Sequence, residues 1–159
     1  MTTAPLIPAL TPTLAREVEA LYNRLELKIR ALGVGCWVRG ACCNFDRAQH
    51  VLYASTLELA FLRTQRATVA QDAQPNGSAL CPFWEAGRCN ERAGRPLGCR
   101  SFFCDARFRP TLEALYETYH QELRQLAAAH QYPWQYLPFV ATVRSGVLAE
   151  TTGTAGTAP

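Results

Sequence analysis

Seven cysteines fall in two groups, and the second group lies in a segment with no periodic means of folding itself. Cys36, Cys42 and Cys43 sit around Gly40, while Cys81, Cys89, Cys99 and Cys104 follow 37 residues later in the stretch 81–105, beside two prolines and three glycines. A helix or a half-buried strand declares itself by an apolar period of 3.6 or 2 residues. Residues 81–105 keep neither, so a cross-link from outside the local pattern must order them, and thiols are what they offer. An odd number of cysteines leaves one over from any complete disulfide set. Met1 to Leu14 has no cationic start ahead of its apolar residues and does not read as an export signal. The cysteines are therefore expected to be reduced, in a cytoplasmic protein, and to bind metal or to do redox chemistry.

The rest of the chain predicts a helical frame for those loops. With 159 residues, 48% of them apolar and 18% charged, it has the size and composition of one globular domain rather than a disordered chain. No apolar run reaches the roughly 20 residues of a membrane span, which predicts no membrane partner. Residues 1–10 read as an extended arm. Thr11-Pro12 opens a helix whose stripe is Leu14, Val18, Leu21, Leu25, Ile29 and Leu32, ended by Gly33 and Gly35. Ser55 and Glu58 form a capping box for a second helix that fades near Val69. Pro110 opens a third, running to a point before Pro133 with Leu112, Leu115, Tyr116, Tyr119, Leu123 and Leu126 on one face. Leu137 to Leu148 reads as a short strand or a docked extended segment, and 151–159 as a disordered tail. The expected fold is thus mainly α: a small single domain over residues 11–150, about three helices, with long irregular cysteine-rich loops clamped by metal.

Thiolates are soft ligands that suit zinc, iron and iron–sulfur clusters. All seven cysteines are candidate ligands. Cys42 and Cys43 are neighbours, and neighbouring side chains on an extended backbone point to opposite sides. They serve two different sites, or one of them packs as a small hydrophobe.

The order of these residues resembles the YkgJ-like cysteine-cluster family, described as zinc- or iron-chelating domains. Its pattern is C-x-x-C-G-x-C-C, a helix, C-P-x(n)-G-x-C, and R-P-x-x-C-R-x-F-x-C. Here stand Cys36-Trp-Val-Arg39-Gly40-Ala-Cys42-Cys43, then Cys81-Pro82-Phe83 and Gly87-Arg88-Cys89, then Arg95-Pro96-Leu97-Gly98-Cys99-Arg100-Ser-Phe102-Phe103-Cys104. The resemblance covers roughly residues 36–105 and implies a cysteine-rich metal-binding fold with little said about biological role. One departure stands out: Arg39 replaces the second cysteine. A pair of four-cysteine sites would then be one thiolate short. The second site would be three-coordinate, open, or completed by Asp46, His50, Asp105 or a water.

Three functions follow as expectations: a metal-binding protein with a structural or carried zinc or iron; an iron–sulfur or open-site metalloenzyme or redox protein; and a metal-folded module for a protein partner. Fifteen arginines stand against one lysine, and Arg88, Arg92, Arg95, Arg100, Arg107 and Arg109 crowd the second cysteine group. Their expected role is to balance thiolate charge and lower thiol pKa values, or to sit as solvated surface. With a net charge of only +3, nucleic acid is the weaker use. His120 and His130 carry no signal, and the capping box accounts for Glu58.

Overall fold

The computed structural model describes residues 7–35, 43–44, 50–66 and 80–148. Among them the fold is mainly helical, with five α-helices and two small antiparallel sheets. Helix α1 spans Pro12–Ala31; the Thr11 hydroxyl accepts from the Leu14 amide at 3.2 Å, and Gly33 closes the end with φ +70°. Strand β1 (Tyr53–Ser55) runs straight into helix α2 (Thr56–Gln65), whose capping box is formed as the Ser55–Glu58 spacing predicts. A hairpin follows, β2 (Trp84–Glu85) and β3 (Arg88–Cys89), and then the short helix α3 (Leu97–Ser101). After a 3-10 turn over Ala106–Phe108, the long helix α4 occupies Arg109–Ala129. Strand β4 (Tyr136–Pro138) returns to pair with β1, and helix α5 (Phe139–Arg144) completes the order.

Helix α2 is the centre of this arrangement. Every residue from Thr56 to Leu62 is buried, because α2 feeds two apolar clusters from opposite faces. On one side Leu57 and Phe61 join the stripes of α1 and α4, with Leu97 of α3. On the other, Leu59, Ala60 and Leu62 meet Ala54, Phe83, Phe139 and Val143.

Several local expectations change. Residues 137–148 divide into a short strand and a helix, because Phe139, Thr142 and Val143 are buried at three- and four-residue steps. Helix α2 stops earlier than the pattern implied: Arg66 is extended (φ −132°, ψ 117°), and residues 67–69 lie outside the described residues. The segment 81–105 holds a hairpin and a short helix. The end of the supposed arm is docked: Ile7 is buried, the Arg63 guanidinium donates to its carbonyl at 3.1 Å, and the Tyr132 hydroxyl donates to the Pro8 carbonyl at 2.7 Å. The tail at 151–159 lies outside the described residues. No helix among the described residues is long and apolar enough to cross a membrane.

What ties the irregular segment to the helices is a set of buried charges. Glu58 is 3% exposed. One of its oxygens accepts from the Ser55 amide and hydroxyl, both at 2.7 Å, and the other accepts from the Leu97 amide at 2.7 Å and the Tyr22 hydroxyl at 3.4 Å. One carboxylate thus caps the starts of two helices, α2 and α3. Burial pushes the Tyr22 hydroxyl well above its usual range, with the Glu58 charge adding to it. Arg100, 5% exposed, is the second clamp. It pairs with Glu26 of α1 at 2.6 Å, donates to the carbonyls of Arg95 (2.7 Å) and Ala93, and lies 3.9 Å over the Tyr22 ring. Glu91 is the third: it accepts from the Gly94 amide at 2.8 Å and pairs with Arg66 at 3.3 Å. Gly94 comes so close to α2 that a β-carbon there would meet the Leu62 backbone at 3.0 Å.

Glu58→Gln turns one acceptor oxygen into a donor that faces an amide already donating. The expected loss is about 3 kcal/mol, since hydrogen bonds to buried charged groups carry about 1.5–3 kcal/mol each. Thermal unfolding should move down by about 6–12 °C. The exposed Glu113→Gln should stay within about 0.5 kcal/mol of wild type. Equal melting of the two variants would contradict the role given to Glu58.

Candidate functional site

The thiols are brought together by backbone pairing. Asn44 and Leu80 form an antiparallel bridge, and the Cys81 amide donates to the Cys43 carbonyl at 2.8 Å. The chain then turns back on itself: the Trp84 amide donates to the Cys81 carbonyl at 3.0 Å, and the β2–β3 pairing sets Cys89 opposite Trp84. The two-residue connection, Ala86 and Gly87, has φ of 47° and 82°, the positive values that a tight hairpin turn demands. Cys89 thereby returns towards Cys43, the largest influence on its thiol, and the Cys89 thiol donates to the Glu91 carbonyl at 3.4 Å.

Cys43, Cys81, Cys89 and Cys99 all line a cavity of about 520 Å³, as do Arg95 and the buried Glu91. Tyr53, Phe102, Phe103, Tyr116 and Tyr136 add aromatic side chains to its lining. His50 also lines it, with its ring stacked on Phe102 at 6.2 Å. The Tyr116 and Tyr136 hydroxyls are hydrogen-bonded at 2.8 Å, and burial pushes both upward in pKa.

Of the seven candidate ligands, four therefore face one space. Cys36 and Cys42 lie outside the described residues, as do Arg39 and Asp46. Cys104 is exposed and is not among the residues lining the cavity. Asp105 is engaged elsewhere, in a 2.6 Å ion pair with Arg107 that holds its carboxyl below the usual carboxylate range. His120 stacks on Tyr116 at 5.7 Å among Trp134 and Tyr136, and His130 meets Glu17 at 2.5 Å, so neither approaches the thiols as a donor.

The electrostatics of the lining favour a thiolate at Cys89. Its pKa falls to about 6, first through the hydrogen bond with Cys43, then through a backbone hydrogen bond at Glu91 and the charges of Arg95 and Arg92, against an opposing effect of burial. The expected charge-balancing role of the arginines thus fits Arg92 and Arg95. It does not fit Arg100, which is buried as a clamp between α1 and the 93–95 loop. That role had no sequence signal, because its anion, Glu26, is 74 residues away.

As donors, thiols beside cationic side chains match a soft ion such as zinc or iron. In number the match is partial: among the described residues no three His, Cys, Asp or Glu side chains are close enough together to hold one ion. The described part of the site is four cysteines that line one cavity. The chain matches no family model, no curated protein and no solved structure.

In metal-free protein, alkylation of Cys89 by iodoacetamide should rise with pH about a midpoint near 6. Cys43→Ala removes the principal hydrogen bond and should shift that midpoint upward. An unmoved midpoint would contradict the assignment of the cause to Cys43.

Proposed function

We propose that this chain is a cysteine-cluster metal-binding protein whose thiolates hold a structural or carried zinc or iron ion. The observation that carries this reading is that Cys43, Cys81, Cys89 and Cys99 all line one cavity. The order of elements over residues 36–105 bears on it too: the C-C pair, the C-P-F and G-x-C elements, and the R-P-x-x-C run resemble the YkgJ-like family, whose described role is zinc or iron chelation. Cys42, adjacent in sequence to Cys43, and Cys36, seven residues before it, are the residues proposed to raise the thiolate number. Cys89 supplies a donor with a lowered pKa, Arg92 and Arg95 offset ligand charge, and the Glu58 and Arg100 clamps hold the segment that carries Cys99. A bound ion would supply cross-linking of loops that lack periodic packing.

The aromatic side chains of the cavity favour one second reading, a metalloenzyme or redox protein with an open coordination position. Its volume of about 520 Å³ lies in the range of small-molecule sites.

Protein purified without oxygen should contain stoichiometric zinc or iron by elemental analysis. A visible band near the thiolate-to-iron region would mark an iron–sulfur centre, and a featureless spectrum with zinc present would mark the zinc form. Cys89→Ser should lose the metal, whereas Cys104→Ser should keep it. Structural metal contributes of order 10 kcal/mol to folding, so chelation should lower melting by about 10 °C or more. Metal-free wild-type protein, or full metal content in Cys89→Ser, would overturn the reading.

A further inference from the structure

We propose that the aromatic residues of this cavity bind a small organic cation of the trimethylammonium type. Large apolar side chains left on a protein surface are usually scattered singly. Here, of the six that are exposed among the described residues, four line the same cavity: Val51, Tyr53, Phe102 and Tyr136. The cavity therefore meets solvent through aromatic rings. Its volume, about 520 Å³, holds a small molecule.

The rings are held in place before any ligand arrives. Tyr53 of β1 and Tyr136 of β4 stack across the two-stranded sheet, with ring centroids 6.4 Å apart and planes at 29°. The Tyr136 hydroxyl is hydrogen-bonded to that of Tyr116 on α4 at 2.8 Å. His120 stacks on Tyr116 at 5.7 Å and meets the Tyr136 ring edge-on at 5.3 Å, and Trp134 packs on Tyr136 at 6.1 Å. Tyr136 is thus fixed by β1, by α4 and by Trp134, so a ligand has little ordering left to impose.

Charge selects the class of ligand. Glu113 and Glu117 lie one turn apart on α4, and both line the cavity. Both are exposed, and neither is in an ion pair among the described residues. Like charges four residues apart on a helix repel, so a cation beside them relieves a cost that the fold otherwise carries. Burial raises the pKa of the Tyr116 and Tyr136 hydroxyls, and the carboxylates of Glu58 and Glu117 add to it. The field at the tyrosine pair is therefore negative. Two arginines also line the cavity, but Arg95 acts on the Cys89 thiol, and Arg109 stands eight residues before Glu117, about 12 Å along the helix axis. Ring faces carry partial negative charge and attract ammonium groups, most of all where water is displaced. A trimethylammonium group offers methyl surface to the rings and a positive charge to Glu117. A neutral molecule of the same shape would fit the rings and leave the carboxylates without a partner. No thiol takes part, so the site stands apart from the metal reading.

The test is a titration of the full chain, followed by NMR, with choline and with neopentylcarbinol, the neutral isostere in which carbon replaces the ammonium nitrogen. Choline should bind about tenfold more tightly than neopentylcarbinol, the scale of a cation held on a partly desolvated ring face. Glu117→Gln keeps the shape of an exposed side chain and should weaken choline about threefold, with neopentylcarbinol unchanged. Tyr53→Ala should weaken choline severalfold, and Tyr53→Phe should restore it, because the ring face and not the hydroxyl is used. Leu27→Ala, exposed on α1 and outside the lining, should bind choline as wild type does. Equal binding of choline and neopentylcarbinol would mean an apolar cavity without charge selection and would overturn the proposal. So would wild-type protein that binds no choline, or an unchanged choline affinity in Glu117→Gln. Neither of those two results depends on whether Tyr53→Ala folds.

Discussion

The buried carboxylate of Glu58 is the interaction on which the rest of this structure depends. A carboxylate out of contact with water is costly unless its lone pairs are filled, and here four donors fill them. Two belong to the residue that starts α2, one to the start of α3 and one to α1. The same group that fixes the central helix therefore fixes where the 91–101 segment meets it. Removing any one donor leaves the charge less satisfied, so the contacts form together. Arg100 works on the same principle with the opposite sign: its guanidinium spans Glu26, two loop carbonyls and the Tyr22 ring.

These clamps explain how loops without a periodic apolar face hold a shape. Glu91, Glu58 and Arg100 hold residues 91–101 against α1 and α2, and backbone pairing holds Cys43, Cys81 and Cys89 against one another. Residues of both sets line the cavity together with aromatic side chains, and the Cys89 thiol there has a lowered pKa. In the proposed function the polar clamps set the position of the donors and a metal ion ties the donors to each other. The two contributions are separable.

Much of the helical frame was legible. Thr11-Pro12, the Ser55–Glu58 capping box and the stripe after Pro110 each state a local rule, and α1, α2 and α4 obey it. The segment after Leu137 misled, because Val140, Thr142 and Val143 favour strands while the apolar core beneath them selects a helix. Glu58 was legible only in part: the capping box is local, whereas its bond to the Leu97 amide joins residues 39 apart. Arg100 looked like one surface arginine among six, and nothing near it in sequence names Glu26 as its partner. For the site, residue type and count pointed to the cysteines. Which of them meet depends on the Asn44–Leu80 bridge and the register of the hairpin, and those are long-range facts.

Polar clamps that order residues 91–101 without metal leave a signature in amide hydrogen exchange of chelator-treated protein, read at Gly94 and Leu97, whose amides donate to Glu91 and Glu58. Both amides should stay protected after metal is removed, at a level comparable with the interior of α2. Exchange of both at the rate of an unfolded chain in the metal-free protein, with α1 and α4 still protected, would mean that metal and not the clamps orders the segment.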